Sequence, residues 1–152
     1  MFRRSQLETP QAIRRSAMDL LARREHSYTE LLRKLTLRGA TADAAEIELD
    51  KLQDEGLLSD ARFCEAYVYA RSQRGMGPLR LREELRQKGV ASSLIEQVLD
   101  EPHWDWPAKA AQAFAKRFPD GVAAERKEKA RQQRFMQYRG FTWQDLTVDD
   151  HD

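Results

Sequence analysis

Three copies of a short motif, spaced at nearly equal intervals, constrain the fold of this chain more than any other feature. In each copy an apolar residue stands three positions before a basic residue, which is followed by glycine and a second apolar residue. The copies occupy 35–40, 85–90 and 136–141, and their glycines lie 50 and 51 residues apart. Fixed self-similarity indicates stacked copies of one supersecondary unit. Such arrays usually expose a long surface for a partner and carry no single reaction centre.

Capping signals predict that the three motifs lie between α-helices. Thr9-Pro10 and the S-x-x-E pattern of Ser27 and Glu30 are typical of helix starts. Glycine after an apolar helical stripe is typical of a helix end. The predicted structural caps and helix boundaries are Ser27, Gly39, Gly56, Ser59, Gly77, Pro78, Gly89 and Gly140. The pattern predicts nine helices and no strand. The expected fold class is all-α, an elongated tandem array of three three-helix repeats.

Two breaks in the helical pattern, near residues 74 and 102, suggest how the array is divided. The expected parts are an N-terminal tail (1–9), a first repeat with a linker helix (10–74), a second repeat (75–102 with the start of 103–120), a third repeat (121–147) and an acidic tail (148–152). A unit of about fifty residues is too small for a large core of its own. Neighbouring repeats are therefore expected to pack against each other.

Apolar residues at helical spacing are expected to form the core. The predicted stripes include Ile47, Leu49 and Leu52, then Phe63, Ala66, Tyr67 and Ala70, then Ala110, Ala111, Phe114 and Phe118. Cys64 follows the core residue Phe63 and is expected to be a packed, unreactive thiol.

No constellation of residues in the sequence indicates catalysis or metal binding. Cys64 is the only cysteine, so an internal disulfide and a cysteine-based zinc site are excluded. The three histidines are scattered, and no phosphate-binding loop or nucleophile elbow occurs. We expect a protein that is not an enzyme and has no metal or cofactor. No apolar run reaches membrane length and residues 1–8 lack a signal-peptide core, so a cytoplasmic location without membrane contact is expected.

Charge is distributed in alternating blocks, although the net charge is only +1. Residues 1–38 carry a net charge of +5, 39–65 of −6, 71–90 of +4, 109–139 of +6 and 145–152 of −4. Blocks of this kind indicate a polyelectrolyte partner, a charged protein partner, or both.

The basic residues are concentrated on the helices that precede the motif glycines, whereas the helices that follow Gly39 and Gly89 are acidic. An acidic helix is a poor reader of the DNA major groove, so the helix-turn-helix mode is disfavoured. Basic helices fit contact with backbone phosphates, which is weak, independent of sequence and sensitive to salt. The alternative is that they are solvated faces balanced by neighbouring acids. The candidate contacts with a partner or DNA are Arg24, Arg33, Lys34, Arg38, Arg71, Arg74, Arg80, Arg82, Arg86, Lys88, Arg126, Lys127, Lys129, Arg131, Arg134 and Arg139.

Several short segments, in order and at characteristic spacing, carry a family resemblance. They are A-R-R-E-H-S at 22–27 with Glu30 and Lys34, G-L-L-S-D-A-R-F at 56–63 with A-Y-V at 66–68 and Arg71, G-x-G-P at 75–78 with E-L at 84–85 and K-G-V at 88–90, and K-E-K at 127–129 with R-F at 134–135 and R-G-F at 139–141. With these segments the chain resembles the RecX regulatory proteins, bacterial modulators of the RecA recombinase. The resemblance spans about residues 10–147.

The resemblance implies a non-enzymatic regulator. Members of this family bind RecA, lie along the groove of its filament on DNA, and limit its recombinase, ATPase and coprotease activities. By the same resemblance this chain is expected to be a monomer that contacts the RecA filament and, weakly, single- or double-stranded DNA. Two other classes stay open: a DNA-binding protein that acts without RecA, without sequence preference, and a helical-repeat adaptor between proteins.

Overall fold

The computed structural model of the chain describes residues 7–147. In this range the helices are α1 (Pro10–Arg23), α2 (Tyr28–Leu37), α3 (Ala42–Asp54), α4 (Asp60–Ser72), α5 (Pro78–Gln87), α6 (Ser92–Leu99), α7 (Trp106–Arg117), α8 (Arg126–Arg139) and α9 (Gln144–Thr147), with a 3-10 turn at Pro102–Trp104. The described residues contain no strand, which confirms the all-α class. None of their helices is long and apolar enough to cross a membrane. The predicted acidic tail, and residues 1–6 of the predicted N-terminal tail, lie outside this range.

Side-chain caps begin the helices where the sequence predicts them. Ser27 and Glu30 form the complete capping box at the start of α2. The Ser59 hydroxyl accepts a hydrogen bond from the Arg62 backbone N–H at the start of α4, and Pro78 is the first residue of α5. Because these groups satisfy N–H donors that have no partner within the helix, they fix where each helix begins.

Four of the glycines predicted to end helices have the left-handed backbone that favours glycine. The φ angles are 109° at Gly39, 77° at Gly56, 80° at Gly89 and 96° at Gly140. Gly77 has no positive φ and serves a different purpose, since a β-carbon there would lie 2.6 Å from the Gly140 carbonyl oxygen. Gly77 directly precedes α5, and its carbonyl accepts from the Leu81 N–H at 3.1 Å, so it is both the N-cap residue of α5 and a close-approach glycine.

The chain forms two compact units, and α4, α5 and α6 each contribute residues to both. Unit 1 comprises residues 7–66 and 86–94 of the described range, and unit 2 comprises 67–85 and 95–147. The core of unit 1 lies between α1, α2 and α3, whose apolar faces meet there. Its fully buried members include Ile13, Ala17, Leu31, Leu35 and Leu49.

Unit 2 has an aromatic core built largely from α7, α8 and the turn before α9. Phe114 packs edge-on against Trp143, with ring centroids 5.8 Å apart, and Phe118 packs edge-on against Phe135 at 5.3 Å. Met136 and Phe141, on either side of the third motif glycine, are completely buried beside them. The apolar residues that flank Gly140 therefore anchor the end of α8 in the core.

Four residues predicted to face the core are exposed instead. Ile47 is 56% exposed, and its place on the inner face of α3 is taken by Glu48, which is 4% exposed. On α4, Cys64 and Val68 are buried, while Ala66 and Ala70 face outward. Ala111 of α7 is also exposed. Each of these four residues lies one or two positions from a residue that is buried on the same helix.

Candidate functional site

Two of the predicted contact arginines in unit 2 are held by one carboxylate. Arg71 Nη2 lies 2.9 Å and Arg80 Nε lies 3.1 Å from Glu84 Oε2, and the Tyr67 hydroxyl donates to the other Glu84 oxygen at 2.9 Å. Burial alone would raise the pKa of Glu84, but the hydrogen bonds from Arg71, Tyr67 and Arg80 outweigh it and lower the pKa. Glu84 thus stays ionised, and much of the charge on both arginines is compensated within the fold.

Arg82 is likewise paired inside unit 2. Its guanidinium bonds both carboxylate oxygens of Glu96, with an Nη2–Oε2 distance of 3.1 Å. These hydrogen bonds lower the pKa of Glu96. Glu96, which follows Gly89, therefore balances the charge of Arg82, which precedes it. The side chain of Arg86, the third arginine of α5, is exposed.

In unit 1, two predicted contact residues converge on the capping carboxylate Glu30. Arg24 Nη2 lies 3.1 Å and Lys88 Nζ lies 3.2 Å from Glu30 Oε2. Burial alone would raise the pKa of Glu30, but the hydrogen bonds from Arg24, the Ser27 backbone and Lys88 lower it to about 2. Arg24 and Lys88 are therefore tied to the fold by a charge that is present at every physiological pH.

The other unit 1 candidates make polar contacts within the unit. Arg33 donates to the Gln87 carbonyl at 3.2 Å, and Arg38 donates to the Ser16 hydroxyl at 2.8 Å. Lys34 Nζ lies 3.0 Å from Nε2 of the buried His26. Burial lowers the pKa of His26, so its ring is neutral at pH 7 and Nε2 accepts from the Lys34 ammonium.

The predicted contact residues on α8 differ from those on the other helices, because most of their side chains have no hydrogen-bond or ion-pair partner among residues 7–147. Arg131 pairs with Glu128 at 3.3 Å, and Arg139 donates to the Arg74 carbonyl at 3.0 Å. Within residues 7–147, no hydrogen bond or ion pair involves the side chains of the four others, all of them exposed: Arg126, Lys127, Lys129 and Arg134. We call the set Arg126, Lys127, Lys129, Arg131 and Arg134 the α8 basic strip.

The start of α8 breaks the rules that stabilise helices. Its N-cap residue, Glu125, makes no capping hydrogen bond through its side chain. Arg126 and Lys127 occupy the first turn, where the positive end of the helix dipole repels cations, together with one acidic residue, Glu128. A helix start without a side-chain cap can bind a phosphate or another anion through its backbone N–H groups. Local violations of this kind are expected at functional sites.

Sequence reasoning missed three further cations of unit 2. Lys109, Lys116 and Arg117 lie on α7, and with Arg74 and Arg139 they line a cleft of about 510 Å³. They were not predicted because the candidate contacts all lie on or beside the helices that precede the motif glycines, and α7 is not one of these helices. The available signal was the stretch 106–119, which contains three basic residues and no acidic one.

Fold and surface together define a helical-repeat protein that presents uncompensated basic residues on α8. Comparison with known proteins identifies the family. The family models "RecX, second three-helix domain" and "RecX, third three-helix domain" match residues 59–99 and 107–145. The first match spans α4–α6, and the second covers most of α7–α9.

Curated relatives match nearly the whole chain. The chain is 47% identical to "Regulatory protein RecX" of Pseudomonas savastanoi pv. phaseolicola over 135 residues, which is 89% of this chain and 87% of that protein. It is 50% identical to the protein of the same name from Pseudomonas putida (strain GB-1), covering 89% and 86% of the two chains. The chain belongs to the RecX family of regulatory proteins, and the expected family is confirmed.

Solved structures support the fold. The chain is similar to "Crystal structure of regulatory protein RecX", with a TM-score of 0.72 and 22% identity over 94% of this chain and 74% of that one. It is similar to RecX from Lactobacillus salivarius with a TM-score of 0.73 and 19% identity, over 91% and 92% of the two chains. Likeness at this level of identity concerns the fold alone.

Proposed function

We propose that this protein binds RecA filaments on DNA and inhibits their recombinase, ATPase and coprotease activities without catalysing a reaction itself. The observation that carries the proposal is the identity of 47–50% to proteins named RecX, over 89% of the chain. The protein acts as a monomer in the cytoplasm, where its filament partner forms, and requires no cofactor.

The α8 basic strip supports a direct contact with the DNA phosphates of the filament. Lys127, Arg131 and Arg134 recur at helical spacing and share one face. Since their contacts would be to phosphate, binding to DNA alone is weak, indifferent to sequence and reduced by salt. Arg80 and Arg82 of α5 are poorer contacts, because Glu84 and Glu96 already hold them.

Paired charge reversals test the proposal. In Lys127→Glu/Arg134→Glu two cations of this shared face are replaced, and Arg15→Glu/Arg23→Glu makes the same charge change at two exposed arginines of α1. The readouts are ATP hydrolysis by RecA on single-stranded DNA, strand exchange, and sedimentation with filaments. We expect wild-type protein and the α1 variant to inhibit alike. The α8 variant should require about tenfold more protein for the same inhibition.

The same experiment separates the alternatives. If wild-type protein at saturation changes neither rate and does not sediment with filaments, the proposal is wrong. The α8 strip favours one competing function, a general DNA-binding protein, which would bind duplex DNA tightly and leave RecA unaffected. An adaptor between proteins would show no salt-dependent DNA binding at all. If both variants inhibit like the wild type, the function stands but the strip is not the contact surface.

A further inference from the structure

A basic cleft in unit 2 lies apart from the start of α8. Its walls are the turn between α4 and α5, one side of α7 and the last turn of α8, and its volume is about 510 Å³. Pockets that hold small organic ligands have volumes of roughly 300–1,000 Å³. The cleft is thus large enough to receive a molecule and is formed wholly within one compact unit.

The charge of this cleft is uncompensated. Five cationic side chains line it, and none of the lining residues is acidic: the cations are Arg74, Lys109, Lys116, Arg117 and Arg139. In the part of the chain that the structure describes, no carboxylate pairs with any of the five. Arg71, Arg80 and Arg82 of the same unit each have a glutamate partner. A concave surface lined by one sign of charge concentrates ions of the opposite sign.

Two of the guanidinium groups are held in place. Arg139 donates to the Arg74 carbonyl at 3.0 Å and lies over the Phe135 ring, 5.0 Å from its centroid. Arg117 lies 5.1 Å from the Phe118 centroid and 5.8 Å from that of Phe135. A guanidinium stacked on a ring keeps N–H groups at its edge for binding phosphate, and little conformational freedom is lost when it does so.

Gly75 makes room for this arrangement. Its φ is +81°, and a β-carbon at this position would lie 3.1 Å from Arg139 Nη1. A side chain at residue 75 would crowd the Arg139 guanidinium, so the glycine lets the turn between α4 and α5 pass close to it. Arg74, on the same turn, is exposed, and its side chain has no partner among residues 7–147.

We propose that this cleft binds a ligand with several adjacent phosphate groups, and that the polyphosphate chain of a free nucleotide is the ligand that fits it best. Five cations around one cavity match the charge density of a triphosphate, whereas a nucleic-acid strand carries one charge per nucleotide. The nucleic-acid phosphates remain the other source of the same chemistry, and the test distinguishes the two. The inference is independent of any action on RecA.

Calorimetry with the full chain at low salt tests the site. The probes are sodium tripolyphosphate, ATP without magnesium, adenosine and a thymidine oligonucleotide. We expect one tripolyphosphate or ATP per chain and no binding of adenosine. Arg74→Gln/Lys109→Gln/Lys116→Gln removes three cations whose side chains make no hydrogen bond or ion pair among residues 7–147, and should weaken binding of both phosphate probes at least about tenfold. The control Arg15→Gln/Arg23→Gln/Arg62→Gln removes equal charge from three exposed arginines of unit 1 and should bind them like the wild type.

The outcomes are distinct. Circular dichroism and thermal melting first establish that both triple variants are folded. The proposal is overturned if neither phosphate probe binds, or if both triple variants weaken binding equally, which would indicate only net charge. If the oligonucleotide is the only probe that binds, and only the cleft variant loses this binding, the cleft binds phosphate groups, but those of a nucleic-acid strand and not those of a free nucleotide. Because no recombinase is present, none of these results depends on the proposed regulatory function.

Discussion

At the residue scale, Glu30 joins three parts of unit 1. Its backbone N–H donates to the Ser27 hydroxyl and its carboxylate accepts from the Ser27 N–H, which completes the cap of α2. The same carboxylate accepts from Arg24, which follows α1, and from Lys88, which follows α5. Since the side chain is almost buried, each of these hydrogen bonds is shielded from competition with water.

We predict that Glu30→Gln lowers the free energy of unfolding by about 2 kcal/mol at pH 7, because hydrogen bonds to a charged acceptor are lost. The folded pKa of Glu30 is about 2, below its ordinary 4.5. A depressed carboxyl pKa stabilises the fold above the unfolded value, and that stability is lost as pH falls toward the folded value. The difference between variant and wild type should therefore be nearly full above pH 4.5, less than about half by pH 3 and mostly gone by about pH 2.

Urea unfolding of Glu30→Gln and wild type at several pH values measures this difference. Glu46→Gln, at an exposed position of α3, is the control and should change stability little at any pH. A difference for Glu30→Gln that stays constant from pH 7 to pH 3 would show that its charge does not contribute.

At the element scale, glycines allow backbones to meet within each unit. In unit 2 the start of α5 lies on the end of α8: the Gly77 N–H donates to the Arg139 carbonyl, and the Leu79 N–H donates to the Gly140 carbonyl at 3.0 Å. In unit 1 a β-carbon on Gly89 would overlap Thr29, in the first turn of α2. The same kind of contact thus occurs twice, between a motif glycine and the start of an earlier helix.

We predict that Gly77→Ala destabilises the protein by about 3 kcal/mol through overpacking. Its β-carbon would meet backbone atoms of Gly140 at 2.6–2.7 Å, and these cannot move without moving α8. Gly56→Ala is the control, because φ is +77° but nothing lies within 4 Å. It should cost only about 1 kcal/mol, the conformational penalty alone. Thermal melting of both variants measures the two losses of stability. Equal losses would mean that small backbone shifts relieve the contact between residue 77 and Gly140.

The α8 basic strip leads to a prediction in which stability and binding change in opposite directions. Lys127→Glu should raise the free energy of unfolding by about 0.5 kcal/mol, because an acid in the first turn suits the helix dipole. It should also weaken DNA binding at low salt, since a phosphate contact is lost. Arg134→Glu is the matched control: it makes the same charge change in mid-helix, and should weaken binding without a gain in stability.

Denaturant unfolding and mobility shifts on unrelated DNA sequences provide the two measurements. If Lys127→Glu lowers stability, Lys127 supports the fold and the argument for a functional helix start fails. If neither variant alters DNA binding, the strip contacts something other than DNA.

The sequence predicted the parts of the fold that depend on local chemistry. The capping box of Ser27 and Glu30 is visible because its members are three residues apart. The link from Lys88 to Glu30 spans 58 residues and leaves no local signal. The pairing of Arg82 with Glu96 likewise leaves no local signal. Basic residues that looked alike in the sequence therefore include some with an ion-pair partner and some without one. Ile47 was placed wrongly because polarity suggested that Glu48 would face water.

At the scale of the whole molecule, the repeats of the sequence and the compact units do not coincide. The family model of the second three-helix domain matches residues 59–99, yet residues 59–66 and 86–94 belong to unit 1 and the others to unit 2. The expected elongated shape and the repeat boundaries near 74 and 102 stay predictions. Small-angle scattering tests the shape, since a compact globule of this length has a radius of gyration of roughly 15 Å and the array should clearly exceed it.

This division leads to the last prediction, that the second three-helix domain does not fold alone. A fragment of residues 59–105 contains all of α4, α5 and α6, but it lacks the cores formed by α1–α3 in unit 1 and by α7 and α8 in unit 2. Helices of 13, 10 and 8 residues are too short to be stable in isolation. Circular dichroism should show little helix in the fragment, while the full chain is helical and melts cooperatively. A cooperative transition in the fragment would mean that each repeat is an independent domain, and that burial within α4–α6 alone offsets the entropy of ordering them.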